Sequence, residues 1–529
     1  MHNIKLIRVL GKMSFKILIL SLFFIDFNVF AQMPKREFRG GWIHIVGNDT
    51  IKNKTKKEVQ QMFLKVLDAM EQVKCNAVIF QVRPCADAFY YSELEPWSRY
   101  LSGKQGVPPK ELWDPLEFMI EESHKRGMEI HAWCNPYRVT LKDTDTLCKN
   151  HVYFKHKSIF VKYGEQIYFN PAEPLSREYT VKAVADIVRR YNIDAIHFDD
   201  YFYPYPIKGE EFDDDHSFKK YAKKQGFAVL KKGKFSSGRE CEYHKKQVKG
   251  DWRRYNVELL IKELNDTIKS IKPWVRFGIS PFGIHRNKKD TPDGSGSNTN
   301  GLSNYDELFA DVPKWVEKGY IDYYVPQLYW KIGHKAADYK TLINWWNDSW
   351  VRGQLYIGQS ISTFNEKDLK NPKQRQTKEK INLQRKLKNV KGNVWWPAWS
   401  LVDNTANVKE DLQKVYQKNF ALIPPYKEID NIPPKAVAQF KKNGRNIVWE
   451  QSLEDKENPM QKALFYAVYC FPDKAETNIN NSKYLLKITQ NTTFNVIEEN
   501  PNHKAGCRYV VTVIDRCWNE SIPSKMLWF

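Results

Sequence analysis

Between Gly40 and Trp399 the chain alternates between strand-like and helix-like runs. The strand-like runs are Gly40–Val46, Ala77–Val82, Glu129–Cys134, Ala195–Asp199, Val275–Ser280, Tyr323–Leu328, Leu355–Gln359 and Asn393–Trp399. Helical patterns separate them at Lys57–Val73, Pro115–Arg126, Arg177–Tyr191, Tyr255–Ile271, Tyr305–Lys318, Tyr339–Trp350 and Gln374–Lys388. Thr55 and Asp114 are placed as N-caps, the latter followed by Pro115 at the first helical position. Gly127 and Gly319 are placed as helix stops. This order predicts an α/β chain folded as a (β/α)8 TIM-type barrel with long βα loops. An open doubly wound sheet is the alternative, although no G-x-G-x-x-G follows a strand.

At 529 residues the chain exceeds what one hydrophobic core supports. A composition change at Pro433-Pro434 predicts a barrel over 35–425 and an all-β sandwich over 433–529. The sandwich strands are read at Asn446–Glu450, Leu464–Phe471, Tyr484–Ile488, Thr493–Ile497 and Cys507–Asp515. Residues 1–31 read as a secretory signal peptide: Lys5, Arg8, Lys12 and Lys16 precede the apolar run Ile17–Ile25, and Ala31 offers a cleavage site. No cysteine follows at a lipidation position and no later run is long enough to span a bilayer, so a periplasmic or secreted protein without a transmembrane anchor is expected.

The net charge of +21 suits an anionic partner, but the basic residues are dispersed and form no nucleic-acid motif, so no nucleic-acid partner is expected. Eight cysteines show no metal-ligand spacing, and Cys507 with Cys517 is the nearest pair for a disulfide. The charged stretch Ile207–Gly250 reads as a long loop in which Asp213, Asp214 and Asp215 form a solvated face. Arg286–Leu302 reads as a second long loop.

Barrel enzymes carry their chemistry at the C-terminal ends of the strands. The stretch Tyr191–Pro206 ends there in Asp199 and Asp200. Alternation along the strand turns Ile196 and Phe198 to the helices and His197 and Asp199 to the interior. Asp200 is expected to point away from Asp199 unless the chain turns. The other strand ends offer Trp42, Gln81, Arg83, Tyr90, Trp97, Trp133, Asn135, Arg138, Tyr201, Ser280, Gln327, Tyr329, Trp330, Trp396 and Trp399. Aromatic faces stack on sugar rings, and amide and guanidinium donors bond hydroxyls, so a polysaccharide is the expected ligand. Glycosidic cleavage by acid/base chemistry usually needs two carboxyl groups. Asp199 is taken as nucleophile or base, with Asp200, Asp87 or Glu95 as the second group. Arg83 is expected to orient Asp199 or Asp87. No metal or cofactor is called for.

The motifs Arg39-Gly40-Gly41-Trp42, Gln81–Gly103, His131–Arg138, Ile196–Pro204, Asp251–Val257, Phe277–Asn287 and Ile321–Trp330 occur in an order that resembles the bacterial glycosyl-hydrolase-like family 10. The resemblance spans Lys35 to Pro425. It implies an exported TIM-type barrel that hydrolyses envelope glycan, with peptidoglycan strands stripped of stem peptides as the substrate. The closing stretch Asn519–Ser524 resembles the last strand of fibronectin type III modules, which implies a spacing or binding module that associates with the cell envelope. A hydrolase of dietary or host polysaccharide and a non-catalytic glycan-binding barrel stay open as alternatives.

Overall fold

The computed structural model describes residues 33–228, 238–361 and 376–529; the signal-peptide segment lies outside the described residues. Eight parallel strands close into a barrel in the order β1-β10-β9-β8-β7-β6-β3-β2. They are β1 (Phe38–Ile43), β2 (Ala77–Arg83), β3 (Glu129–Cys134), β6 (Ala195–Phe198), β7 (Arg276–Ile279), β8 (Tyr323–Tyr324), β9 (Gln354–Ser360) and β10 (Val390–Trp396). All eight overlap the segments read from the sequence. A small hairpin, β4 (Phe160–Tyr163) and β5 (Gln166–Phe169), sits in the connection before β6 and has no counterpart in that reading.

Strand β8 stops at Tyr324 where the apolar pattern predicted Leu328, because Pro326 has no N–H to give the ladder. Only isolated bridges at Gln327, to Phe282 and Gly358, carry the pairing further. Thr55 caps its helix through a capping box with Glu58, and Asp114 accepts from the backbone N–H groups of Leu116 and Glu117. The helix predicted over Tyr305–Lys318 shrinks to Val312–Glu317, since Pro313 sits in its first turn.

The stretch Ile207–Gly250 is not one loop. It holds a helix at Asp215–Tyr221, and the helix expected from Tyr255 begins at Gly238 and runs to Ile271. The polar first half of that helix lacks an apolar stripe, which hid it from a periodicity argument. The acidic triplet is a solvated face at Asp213 and Asp215, but not at its middle residue. Asp214 is buried, bridged by Arg253 and Lys249, and accepts from the Tyr203 hydroxyl. All eight cysteines are free, so Cys507 and Cys517 are two buried thiols.

The C-terminal segment forms two antiparallel sheets. One holds β11 (Ala438–Asn443), β12 (Asn446–Glu450) and β15 (Thr493–Asn495); the other orders β14 (Leu485–Thr489), β13 (Ala463–Phe471), β16 (Arg508–Asp515) and β17 (Leu527–Trp528). Their facing sides share a core of Ile447, Trp449, Tyr466, Val468, Phe494, Val511 and Val513. Alternation along β13 turns Phe465, Ala467, Tyr469 and Phe471 the other way, into a cluster that also holds Phe38, Tyr323 and Tyr356 of the barrel and Tyr426 of the segment after it. The four-stranded sheet therefore packs against the N-terminal mouth of the barrel.

Trp518 anchors this contact. Its indole N–H donates to Glu129 Oε2 at 2.6 Å, and its side chain is buried. Glu129, the first residue of β3, also takes an ion pair from Arg276, whose Nη1 reaches the carbonyl of Arg516 at 2.7 Å. Trp518→Ala opens a cavity and removes one donor from a buried carboxylate. It should cost about 3–5 kcal/mol, read as a drop in the urea midpoint of the whole chain.

Candidate active site

A cavity of about 370 Å³ opens at the C-terminal end of the barrel. That volume falls in the range of small-ligand sites, roughly 300–1,000 Å³. Strand β6 and its exit supply His197, Asp199, Asp200 and Tyr201; β1 and its exit supply Trp42, His44 and Val46. Trp133 and Arg138 come from β3 and its exit, Trp396 from β10, Ser280 from the end of β7, and Gln327 with Tyr329 from the segment after β8.

The strand pattern holds through β6. Ile196 and Phe198 are buried in the outer core against the helices, while His197 faces inward. Strand β6 ends at Phe198, and the chain turns, with the Phe202 N–H bonding the Asp200 carbonyl at 3.0 Å. Alternation therefore stops after the strand. Asp200 does not point away; both carboxyl groups line the same cavity.

Their surroundings differ. Asp199 accepts from Asn135 Nδ2 at 3.0 and 3.2 Å and from the Trp133 indole N–H at 3.1 Å. Burial pushes its carboxyl above the ordinary value, and the charge of Arg138 with these donors opposes the rise. Asp200 accepts from the Tyr205 hydroxyl at 2.5 Å and from Gln327 Nε2 at 3.2 Å. Burial, then the neighbouring charge of Asp199, pushes it up to about 7. The site thus holds a buried carboxylate satisfied by amide and indole donors beside a carboxyl that keeps its proton near neutrality, an arrangement suited to acid/base work.

Three indoles close one side. Trp396 stands edge-on to Trp133 at 6.0 Å and to Trp42 at 6.5 Å between ring centroids. His197 Nε2 accepts from the Trp42 indole at 3.2 Å, and burial holds His197 neutral, well below its ordinary range. His44 is likewise lowered by burial, to about 4. Among the described residues no three His, Cys, Asp or Glu side chains cluster as metal ligands.

Several sequence-predicted residues sit behind the cavity wall. Arg83 orients neither Asp199 nor Asp87: it holds Glu95 through Nε and Nη2, and both side chains are fully buried. Its Nη1 bonds the carbonyls of Asn135 and Pro136 at 2.6 and 3.1 Å, so it fixes the turn that presents Asn135 to Asp199. Asp87 is buried against Gln105 with its pKa raised by burial to about 6, and it does not line the cavity. Gln81 Oε1 accepts from the backbone N–H groups of Ile45 and Val46 and pins the exit of β1.

Tyr90 packs on Tyr191, Trp97 on Tyr91, and Trp330 on Phe282. Trp399 donates to the carbonyl of His44 at 3.2 Å. None of these four lines the cavity. Sequence reasoning passed over Tyr205, the partner of Asp200; the run of tyrosines after Asp200 was the available signal. Val46 carried none.

Arg83→Met strands a buried carboxylate at Glu95. It should cost about 3–5 kcal/mol by chemical denaturation. Arg83→Met combined with Glu95→Leu should recover much of that loss, since both charges then leave the wall together.

Residues 37–377 match the family described as glycosyl hydrolase-like 10. The glycosyl hydrolase YngK of Bacillus subtilis is 39% identical over 507 residues, covering 93% of each chain. The glycosyl hydrolase DigH of Escherichia coli is 36% identical over 350 residues, covering 62% of this chain and 74% of that one. Among solved structures, the catalytic domain of a β-amylase from Paenibacillus polymyxa gives a TM-score of 0.47 at 10% identity, covering 73% of this chain and 99% of that one. By the extent of the family match and of the YngK alignment, this chain belongs to the glycosyl hydrolase-like 10 family.

Proposed function

We propose that the protein is an exported glycoside hydrolase that cleaves the glycan strands of peptidoglycan. The observation that carries the reading is the Asp199–Asp200 pair in an indole-walled cavity at the catalytic end of the barrel. Asp200 is the proton donor to the leaving oxygen, and Asp199 is the carboxylate that stabilises positive charge developing at the sugar. Trp42, Trp133 and Trp396 present apolar faces to the sugar, while Arg138, Ser280 and Gln327 supply polar contacts. Membership of a glycosyl hydrolase-like family supports hydrolysis. Export rests on the basic, then apolar, sequence of residues 1–31. Peptidoglycan rests on the resemblance drawn from the sequence motifs.

The test is incubation of the purified protein with peptide-free glycan strands, with new reducing ends as the readout. Asp199→Asn should lower the rate by about a hundredfold or more while leaving the circular dichroism spectrum and the urea midpoint near those of the wild type. Full activity in that variant would overturn the role of Asp199. Reducing ends from a plant or host polysaccharide, with none from the glycan strands, would overturn the substrate.

The pH profile follows from the two carboxyl environments. A proton donor works only while protonated, so kcat/KM should fall as pH rises through about 7, where Asp200 loses its proton. Asp199 must be ionised, so activity should also fall on the acid side, at a pH above the ordinary aspartate value. The Tyr205 hydroxyl stabilises the charged form of Asp200. Tyr205→Phe should therefore move the alkaline limb upward, measured as kcat/KM against pH.

A further inference from the structure

Among the described residues that line the cavity, the carboxyl groups are Asp199 and Asp200 alone, neighbours at the exit of one strand. Hydrolysis by two protein carboxyl groups needs them on opposite faces of the sugar, about 5–5.5 Å apart for retention or about 6.5–9.5 Å apart to admit a water for inversion. The acids expected from the loop after β2 do not supply the second face: Glu95 is locked to Arg83, and Asp87 is buried behind the wall. Two groups leaving one strand side by side reach a bound sugar from one side. Among the described lining residues, then, none offers a carboxyl nucleophile on the opposite face, and a group of the substrate itself can take that role.

A 2-acetamido group is the one common sugar substituent that can serve. Its carbonyl oxygen reaches C1, its N–H needs a carboxylate partner, and its methyl needs an apolar seat. Asp199 lies beside the indole corner, bonded to the N–H of Trp133, whose ring stands edge-on to Trp396. The anion and the apolar seat that an acetamide requires are thus adjacent. Asp200 stands next to them, held by Tyr205 and Gln327.

We propose that this site takes a β-linked 2-acetamido-2-deoxyhexoside and uses the acetamide of that sugar as the nucleophile, with Asp199 holding the acetamide N–H and Asp200 acting as acid and then base. The inference rests on the hydrolase reading above and narrows its substrate class and mechanism. In the first step the acetamide oxygen forms a bond to C1. The C1–O glycosidic bond breaks with its electron pair to the leaving oxygen, which takes the proton of Asp200. The product is a cyclic oxazolinium ion whose N–H stays on Asp199. In the second step water attacks C1 and gives one proton to Asp200, and the C1–O bond to the acetamide breaks with its pair returning to the carbonyl. One water is consumed, Asp200 ends protonated, and two inversions at C1 retain the anomer. Attack from the 2-position requires the leaving oxygen to be trans to the acetamide, which selects the β anomer of a sugar whose 2-acetamido group is equatorial.

The experiment uses the full chain and peptide-free glycan strands in two forms, one with natural N-acetyl groups and one deacetylated and then N-trifluoroacetylated. The fluorinated amide is a weaker nucleophile of similar size. The expected result is a kcat lower by at least about tenfold at little changed KM. N-acetylglucosamine-thiazoline, a stable mimic of the oxazolinium ion, should inhibit competitively, and its binding by calorimetry should be lost in Asp199→Ala. The first-formed sugar should keep its anomer by proton NMR. Equal kcat on the two strands, absence of thiazoline inhibition, or an inverted product would each overturn the inference while leaving the hydrolase reading intact. No new reducing ends from any N-acetylhexosamine glycan would overturn both. Trp133→Phe keeps an aromatic ring but removes the N–H to Asp199. It should weaken thiazoline binding while leaving the urea midpoint near that of the wild type; unchanged binding would count against the acetamide seat.

Discussion

A carboxylate buried at the floor of a barrel has to be satisfied there, and Glu129 fixes much of what lies above and below it. Its Oε1 meets His131 Nε2 at 2.7 Å; His131 Nδ1 meets the Tyr323 hydroxyl at 2.6 Å. The same hydroxyl meets His197 Nδ1 at 2.9 Å, and His197 Nε2 meets the Trp42 indole at 3.2 Å. The ends of this column set its direction. An indole N–H only donates and a carboxylate only accepts. Every link in between must therefore donate toward Glu129: His197 through Nδ1–H, Tyr323 through its hydroxyl, His131 through Nε2–H. One tautomer of each histidine satisfies the column, and a ring flip at any link would leave two buried groups unpaired.

Because β3 turns Glu129, His131 and Trp133 to the same face, the column and the cavity share a strand. Glu129 receives Arg276 and Trp518 from below, His131 passes the column upward, and Trp133 reaches Asp199 at the top. The C-terminal sheets thus contribute to the floor on which the cavity is built. The β13 face with Phe465, Ala467, Tyr469 and Phe471 is committed to that floor. Any envelope-binding role for this part of the chain has to use its other surfaces, among them exposed Trp528.

The barrel was legible because parallel strands buried on both faces write themselves as short apolar runs between amphipathic helices, and each of the eight runs found its strand. The inward turn of His197 and Asp199 followed from the pleat alone. What failed was whatever depended on where the pleat ends. Asp200 entered the cavity because the chain turned one residue after Phe198, a tertiary fact that alternation cannot express. Arg83 was read correctly as the partner of a carboxylate, but the partner sat twelve residues on, in a loop whose path has no periodicity. The polar half of the Gly238–Ile271 helix escaped for the related reason that salt bridges rather than an apolar stripe hold it, with Lys249 and Arg253 closing on Asp214.

The two aspartates show how little separates a carboxylate from a carboxyl that keeps its proton. They are consecutive in sequence, similarly buried, and open on one cavity. Two like charges this close cannot both be ionised without a large penalty, so the donors decide which one keeps its proton. Asp199 draws a side-chain amide, an indole N–H and the field of Arg138. Asp200 draws a tyrosine hydroxyl and one amide, and the charge that weighs on it is that of Asp199. The asymmetry is built by β3 and its exit, which supply all three of the groups favouring Asp199. Strand β6 carries the pair, but its neighbour sets which of the two holds its proton.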